Sequence, residues 1–209
     1  MLEPILGEQF ESFERQSDAL RFGMWVFLAS ELLLFSGLFA LYAAYRGEYG
    51  SDFIQALHTN TVAYGTANMY VLLTSSFTVA MGVHAIRSGS NRAAAAWLIV
   101  SAVFGLAFLV IKGFEYSIHI REGALPGQFY HFKEAAHFGG NRFYTMYWVT
   151  TGAHALHVTG GIGVLLWTAR HALQGRYTPT HNARFENATL YWHFVDVMWI
   201  FIWPIYYLA

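Results

Sequence analysis

The sequence predicts an all-α integral membrane protein, a bundle of five transmembrane helices. Of its 209 residues, 56% are hydrophobic and only 12% are charged, about half the charged share of an average soluble domain. Five apolar runs each provide the roughly 20 residues that a helix needs to cross the hydrocarbon core. Polar and turn-forming stretches separate these runs, and no internal repeat is present. We therefore predict one transmembrane domain over residues 21–209, preceded by a polar cytoplasmic tail over residues 1–20.

The five predicted crossings follow one another along the chain. They run from Phe22 to Tyr45, from Val62 to Ile86, from Ala93 to His119, from Phe143 to Ala169 and from Asn187 to Ala209. Tryptophans lie near the segment ends, where this residue anchors helices at the membrane surface. Trp192, close to the start of the last segment, is predicted to be one such anchor.

The distribution of basic residues predicts the orientation in the membrane. Seven arginines lie on the side of the N-terminus: Arg15, Arg21, Arg87, Arg92, Arg170, Arg176 and Arg184. Four basic residues lie on the other side: Arg46, Arg121, Lys133 and Arg142. Since Lys and Arg are enriched in cytoplasmic loops, we predict a cytoplasmic N-terminus and an external C-terminus. The first twenty residues lack the basic start, apolar centre and cleavage site of a signal peptide.

Composition also excludes several classes of function. The net charge is -1, the pI is about 6.8 and the basic residues form no stripe, so nucleic acid is not an expected partner. The chain contains no cysteine. Disulfides, thiolate metal sites, iron–sulfur clusters and copper pairs bridged by thiolates are therefore excluded within it.

The first segment carries a carboxyl group near its middle. Glu31, in FLASELLLFSG, is about nine residues, or about 14 Å at 1.5 Å per residue, from the predicted cytoplasmic end. Ser30, Ser36 and Gly37 are small enough for another helix to approach closely. Glu31 is then either a protonated carboxyl hydrogen-bonded to a neighbouring helix or part of a proton route.

The third segment places three ionisable residues on one face. Lys112, Glu115 and His119, in IKGFEYSIH, are spaced i, i+3 and i+7. A lysine and a glutamate at this spacing can neutralise each other, which lowers the cost of burying either one. We interpret them as a structural pair rather than as catalytic residues.

The last two segments carry histidines and carboxylates within apolar sequence. His154 and His157 share a face, and the glycines around them favour hydrogen bonding between packed helices over metal or haem ligation. His193 and Asp196 share a face of the fifth segment, with Glu186 two turns earlier. We predict a polar network in which Asp196 is held by His154, His157 or His193, so that the last helix is oriented against the fourth.

Three long motifs occur along the chain in the order RFGMWVFLASELLLFSGLFALY, TTGAHALHVTGG and FENATLYWHFVDVMWIFIWPIYYL. Together they resemble subunit III of the haem-copper terminal oxidases, and the resemblance extends from Arg21 to Leu208. The number of crossings is similar to the shorter form of that subunit, which lacks the first two helices of the seven-helix form.

This resemblance implies an accessory subunit without redox centres in a bacterial cytoplasmic membrane. In the family, haems and copper belong to subunits I and II, and subunit III packs against subunit I, sustains its turnover and supports its proton uptake. The electron donor of such a complex is cytochrome c or a quinol. Glu31 coincides with the family's carbodiimide-reactive glutamate. Five further residues fall on motif positions whose family role is structural: Glu115, Glu186, His157, His193 and Asp196.

The seven-helix form holds phospholipid in a cleft beside its first two helices, and that helix pair is missing here. The candidate partners for lipid headgroups are Arg21, Arg87, Arg92 and Arg184, which ordinary positive-inside anchoring also explains.

Three other functions remain open at this point. An accessory protein of nitric oxide reductase also resembles this sequence. A small proton channel or transporter would use Glu31 and the histidines, although repeat symmetry and matching broken helices are missing from the sequence. A haem-binding electron carrier would use the pair His154 and His157.

Overall fold

The computed structural model describes residues 9–208, and five long helices dominate this part of the chain. They are α1 (Phe13–Glu48), α3 (Val62–Arg87), α4 (Asn91–Glu122), α5 (Phe138–Leu173) and α6 (Ala183–Tyr207), each long and apolar enough to cross a membrane. A short α2 (Gly50–Thr59) and a 3-10 turn (Gly127–Phe129) complete the helical elements. Within residues 9–208 the only β pairing is a single bridge between Ala124 and Tyr130. The prediction of an all-α bundle with five crossings is confirmed.

Helix α1 begins well before the predicted start of its crossing. The hydroxyl of Ser12 accepts a hydrogen bond from the backbone N–H of Arg15 at 3.3 Å, and Glu14 lies in the first turn, where a negative charge is favourable. Residues 13–20 therefore belong to α1, so the boundary predicted for the polar tail falls inside a helix. The first eight residues of that tail, and Ala209, lie outside the described residues.

Helix α2 lies at the opposite end of the bundle from the start of α1, and the sequence prediction missed it. It buries Phe53, Ala56 and Leu57, whereas Ile54 is 48% exposed. The carboxylate of Asp52 accepts a hydrogen bond from the backbone N–H at the start of α5, at 3.2 Å. With ten residues and one narrow apolar face, α2 is too short to stand out as an apolar run.

The long helices are arranged around α6. Helix α6 packs against α1, α3 and α5, while α4 packs between α3 and α5. The predicted antiparallel contact between the last two crossings is present as the contact between α5 and α6. Helix α1 packs only against α2, α5 and α6 among the described elements. Helix α1 is accordingly the least buried of the five crossings. Within the most apolar 18-residue stretch of each helix, 11% is buried in α1 and 50% in α6.

A tryptophan fills the centre of the bundle where three helices meet α6. Trp192 is fully buried, and its indole N–H donates to the hydroxyl of Ser75 on α3 at 3.0 Å. A Cβ atom at Gly105 of α4 or at Gly161 of α5 would lie within 2.8 Å of the indole ring. These two glycines therefore leave the space that the ring occupies. The prediction that Trp192 is an interfacial anchor is wrong, because the ring points into the bundle rather than towards its surface.

The N-terminal side of the bundle is the end that contains the start of α1, α4 and α6, and the C-terminal side is the end that contains α2.

Candidate functional site

Glu31 lies near the middle of α1 and is hydrogen-bonded to His157 of α5. The distance from Oε2 of Glu31 to Nε2 of His157 is 2.7 Å. The other imidazole nitrogen, Nδ1, is 2.7 Å from the carbonyl oxygen of Ala153, one turn earlier in α5. Both side chains retain a little exposure, 17% for Glu31 and 18% for His157, so the pair lies at the edge of the contact between α1 and α5.

The two hydrogen bonds of His157 fix how many protons the pair carries. The carbonyl of Ala153 can only accept, so Nδ1 must carry a proton. The contact between Nε2 and Oε2 then requires one further proton, carried by either the imidazole or the carboxyl of Glu31. Both arrangements have zero net charge. The pair can therefore hold a proton within the membrane without burying a net charge.

His154 does not join this pair. Its imidazole is fully buried between the rings of Phe108 and Trp199, with centroid distances of 5.3 and 5.0 Å. Neither of its ring nitrogens has a hydrogen-bond partner among residues 9–208. Since both nitrogens of His157 are occupied, the two histidines do not present free nitrogens to a common ligand.

Lys112 and Glu115 form a buried ion pair towards the C-terminal side. Nζ of Lys112 is 3.0 Å from Oε2 of Glu115, and both side chains are 2% exposed. The ammonium also donates to the hydroxyls of Tyr147 on α5 and Tyr207 on α6, at 2.8 and 2.7 Å. These hydroxyls donate in turn to Oε1 of Glu115, at 2.7 and 2.6 Å. The cluster joins α4, α5 and α6 by hydrogen bonds that satisfy both charges.

Aromatic rings complete the surroundings of the ammonium. Nζ of Lys112 is 4.6 Å from the ring centroid of Tyr147 and 5.3 Å from that of Trp199, distances at which a cation is attracted to a ring. His119, predicted to share this face, has Nε2 3.9 Å from Oε1 of Glu115, which is too long for a hydrogen bond. The i, i+3 pair expected from the sequence is thus formed, and the two tyrosines are its unpredicted partners.

Asp196 is not held by any of the three histidines proposed for it. His157 bonds Glu31, and neither carboxyl oxygen of Asp196 makes a hydrogen bond to a histidine. The face shared by His193 and Asp196 is turned towards α3, where the hydroxyl of Ser76 is 2.7 Å from Nδ1 of His193 and lies beside Asp196. The predicted clasp between the last two crossings is therefore wrong. The polar face of α6 meets α3 instead.

Glu186 also lies outside the predicted intramembrane network. Its carboxylate is 2.9 Å from the guanidinium of Arg87 and 3.4 Å from that of Arg21. These ion pairs link α6 to α1 and α3 at the N-terminal side of the bundle. Two of the arginines proposed for lipid headgroups are thus paired within the chain, whereas Arg92 and Arg184 are exposed and have no carboxylate partner in residues 9–208.

Comparison with known proteins gives consistent matches over nearly the whole chain. The family model described as cytochrome c oxidase subunit III matches residues 9–209. The probable cytochrome c oxidase subunit 3 of Mycobacterium leprae is 32% identical over 88% of this chain and 85% of its own length. The quinol oxidase subunit 3 of Bacillus subtilis is 31% identical over 97% of this chain and 94% of its own length. The chain belongs to the cytochrome c oxidase subunit III family.

The cytochrome c oxidase subunit 3 of Synechocystis sp. is a further relative of this subunit III family member, 32% identical over 91% of this chain and 76% of its own length. Membership of this family makes the chain a multi-pass membrane protein and a component of an oxidase complex. All three of these relatives are named as oxidase subunits, which favours this assignment over an accessory role in nitric oxide reduction.

Three partners of the polar residues in this subunit III family member were not found from its sequence. Ser76 and the two tyrosines of the lysine cluster, Tyr147 and Tyr207, have side chains that are common in membrane helices, so composition gives no signal for them. Spacing within one helix identifies residues on a shared face. It does not identify the side chains of other helices that meet this face.

Proposed function

We propose that this chain is a non-redox accessory subunit of a bacterial haem-copper oxygen reductase, which stabilises catalytic subunit I and supports its proton uptake. The haems and copper of the complex then belong to its other subunits, I and II. Cytochrome c oxidase and quinol oxidase both occur among the relatives, so the proposal covers either electron donor. The observation that carries it is the pair between Glu31 and His157, which holds one proton inside the membrane.

The position of this pair suits a supporting role. It bridges α1 and α5, and both side chains are partly exposed at the surface of the bundle along this contact. A proton held there without net charge can pass between imidazole and carboxyl over a 2.7 Å hydrogen bond. The same bond fixes α1 against α5, because α1 has few other neighbours. One pair can thus contribute to both the stability and the proton supply of the complex.

The test is the purified oxidase carrying Glu31→Gln. The amide keeps a hydrogen bond to His157 but cannot exchange a proton. We therefore expect normal assembly of the complex and a several-fold faster inactivation during turnover. As the pH is raised, the variant should lose activity at a lower pH than the wild type does. Oxygen consumption until inactivation, recorded from pH 6 to about 10, measures the inactivation and the pH dependence, and the subunit composition of the purified complex measures assembly.

Ser36→Ala provides the matched control, because Ser36 is exposed on the same helix and makes no hydrogen bond to the pair within residues 9–208. Wild-type inactivation and an unchanged pH profile in the Glu31→Gln complex would contradict the proton-supply role. Loss of subunit I from the purified complex would instead show that the pair acts through assembly alone.

The proposal includes the orientation, with the N-terminal side of the bundle in the cytoplasm. The chain has no cysteine, so single cysteines can report the side of the membrane directly. Ser88→Cys lies in the exposed turn between α3 and α4 on the N-terminal side, and Gln128→Cys lies in the exposed loop on the other side. We expect an impermeant maleimide to label Gln128→Cys in right-side-out vesicles and Ser88→Cys only in inverted vesicles. The reverse pattern would overturn the orientation.

A further inference from the structure

A cavity opens between α1 and α3 on the N-terminal side of the bundle. These two helices do not pack against each other in residues 9–208, and α6 forms the floor of the space between them. The cavity has a volume of about 420 Å³, far more than one water molecule needs, and its walls carry polar groups that can bind water. Five of its residues belong to α6: Glu186, Asn187, Thr189, Leu190 and His193.

The charged groups of this cavity lie at its mouth and are paired with one another. The carboxylate of Glu186 is 2.9 Å from the guanidinium of Arg87 and 3.4 Å from that of Arg21, and both arginine side chains are more than half exposed. Among the described residues, α4 and α5 contribute nothing to the walls. His193 is seven residues beyond Glu186, about 10 Å deeper at 1.5 Å per residue. Its imidazole is therefore the titratable group at the inner end of the cavity.

Behind His193, the hydroxyl of Ser76 connects the imidazole with a buried carboxyl. Oγ of Ser76 is 2.7 Å from Nδ1 of His193, and the same hydroxyl lies beside the carboxyl of Asp196. Since Nδ1 is used within the bundle, Nε2 is the nitrogen that remains for a water molecule in the cavity. We call His193, Ser76 and Asp196 the proton relay.

Asp196 is the innermost member of the proton relay. Its side chain is buried, and neither carboxyl oxygen has a hydrogen-bond partner among residues 9–208. An ionised carboxylate in such surroundings is expensive, which favours the protonated form. The carboxyl can thus hold a proton inside the bundle, and the hydroxyl beside it provides a route by which that proton is exchanged.

A proton can pass along the proton relay by changes in hydrogen position. In one arrangement, Nδ1 of His193 donates to Ser76, whose hydroxyl donates to the carboxylate of Asp196. A hydronium ion in the cavity then gives a proton to Nε2 and becomes water. The imidazolium releases its Nδ1 proton to Ser76, and the hydroxyl releases its own proton to the carboxylate. The imidazole ends neutral with its proton on Nε2, and the carboxyl has gained one proton.

We infer that Asp196 is a second proton-binding site, which exchanges its proton with the N-terminal side of the bundle through Ser76 and His193. Two observations carry this inference. The buried carboxyl has no partner of its own, and the hydroxyl beside it is bonded to an imidazole that lines an open cavity. The site shares no residue with the pair between Glu31 and His157, so the inference does not depend on the proposed function.

The experiment follows the C=O stretch of this carboxyl by infrared spectroscopy of the full chain in a non-ionic detergent. The wild-type spectrum minus that of Asp196→Asn identifies the band of the protonated carboxyl, which shifts to lower wavenumber when deuterium replaces the proton. We expect the band at neutral pH, and we expect its shift after perfusion with heavy water. Ser76→Ala interrupts the proton relay, so we expect the shift in this variant to be slower by at least about tenfold.

Three further variants test the parts of the route. Ser76→Thr keeps a hydroxyl and should retain fast exchange. Ala80→Trp lies one turn nearer the mouth on the cavity wall, so it narrows the cavity without removing a group of the proton relay and should also slow the shift. Thr74→Ala is the matched control, because Thr74 is exposed on the same helix and its hydroxyl donates to the carbonyl of Tyr70 at 2.8 Å. Its exchange should match the wild type.

Three outcomes would overturn the inference. Absence of the band from the difference spectrum would show that Asp196 is ionised and holds no proton. Equal exchange rates in wild type and Ser76→Ala would exclude the proton relay, and a wild-type rate in Ala80→Trp would exclude the cavity as its opening. If Ser76→Ala does not fold, as judged by its helical circular dichroism, His193→Phe serves instead. Its phenyl ring occupies the place of the imidazole without a nitrogen, so the same slowing is expected.

Discussion

Replacing Lys112 by methionine is expected to lower the free energy of unfolding by about 3 to 5 kcal/mol, the usual cost of removing one member of a buried ion pair. Methionine fills a similar volume, so the loss comes from the carboxylate of Glu115, which is 2% exposed and would lose its ammonium partner. The hydroxyls of Tyr147 and Tyr207 would lose the donor that now orients them. Helices α4, α5 and α6 would be weakened together.

The free energy of unfolding can be measured by titrating the full chain in mixed micelles with a denaturing detergent and following helical circular dichroism. The double variant Lys112→Met, Glu115→Gln removes both charges and should recover most of the loss. Lys133→Met, at an exposed loop lysine, is the control and should change the free energy by less than about 0.5 kcal/mol. A single variant as stable as this control would show that the pair contributes nothing.

Replacing Trp192 by alanine is expected to cost a similar amount, about 3 to 5 kcal/mol, for a different physical reason. The indole is fully buried and touches the backbone positions of Gly105 and Gly161, which have no side chains to fill the space that it leaves. Ser75 would also lose the indole donor that its hydroxyl accepts at 3.0 Å. The result would be a cavity at the point where α3, α4 and α5 meet α6.

The same unfolding titration checks this prediction. Trp167→Ala is the matched control, because Trp167 is 50% exposed and its removal opens no enclosed cavity. We expect the control to cost clearly less than Trp192→Ala. If Trp192→Ala lowered the free energy of unfolding no more than Trp167→Ala does, the bundle would have collapsed onto the empty space. The description of Trp192 as its central packing element would then be incorrect.

The sequence was sufficient to predict the five crossings, because runs of about 20 apolar residues have few other structural meanings. It could not give the true start of α1, since that depends on the cap formed by Ser12 rather than on hydropathy. The pair between Lys112 and Glu115 was predictable because its members lie three residues apart on one helix. Tyr147 and Tyr207, which are 35 and 95 residues from the lysine, depend on how the helices pack.

The predicted network around Asp196 shows the same limit. Spacing placed His193 and Asp196 on one face of the last helix, but only the packing of α6 decided that this face meets α3 and Ser76. The arginine count was limited in a related way. It predicted an excess of positive charge on the N-terminal side. It could not distinguish Arg21, which is paired with Glu186, from Arg184, which is not.

The sparse attachment of α1 has a consequence for the order in which the chain is made. Its bonds to the rest of the bundle span 126 residues for Glu31 and His157, 163 for Tyr42 and the carbonyl of Ile205, and 167 for Asn187 and the carbonyl of Leu20. Among the described helices α1 is made before all of these partners. During synthesis the carboxyl of Glu31 therefore has no histidine partner until α5 has been made. The hydrogen bonds that attach α1 to α5 and α6 can form only after those later helices are in place.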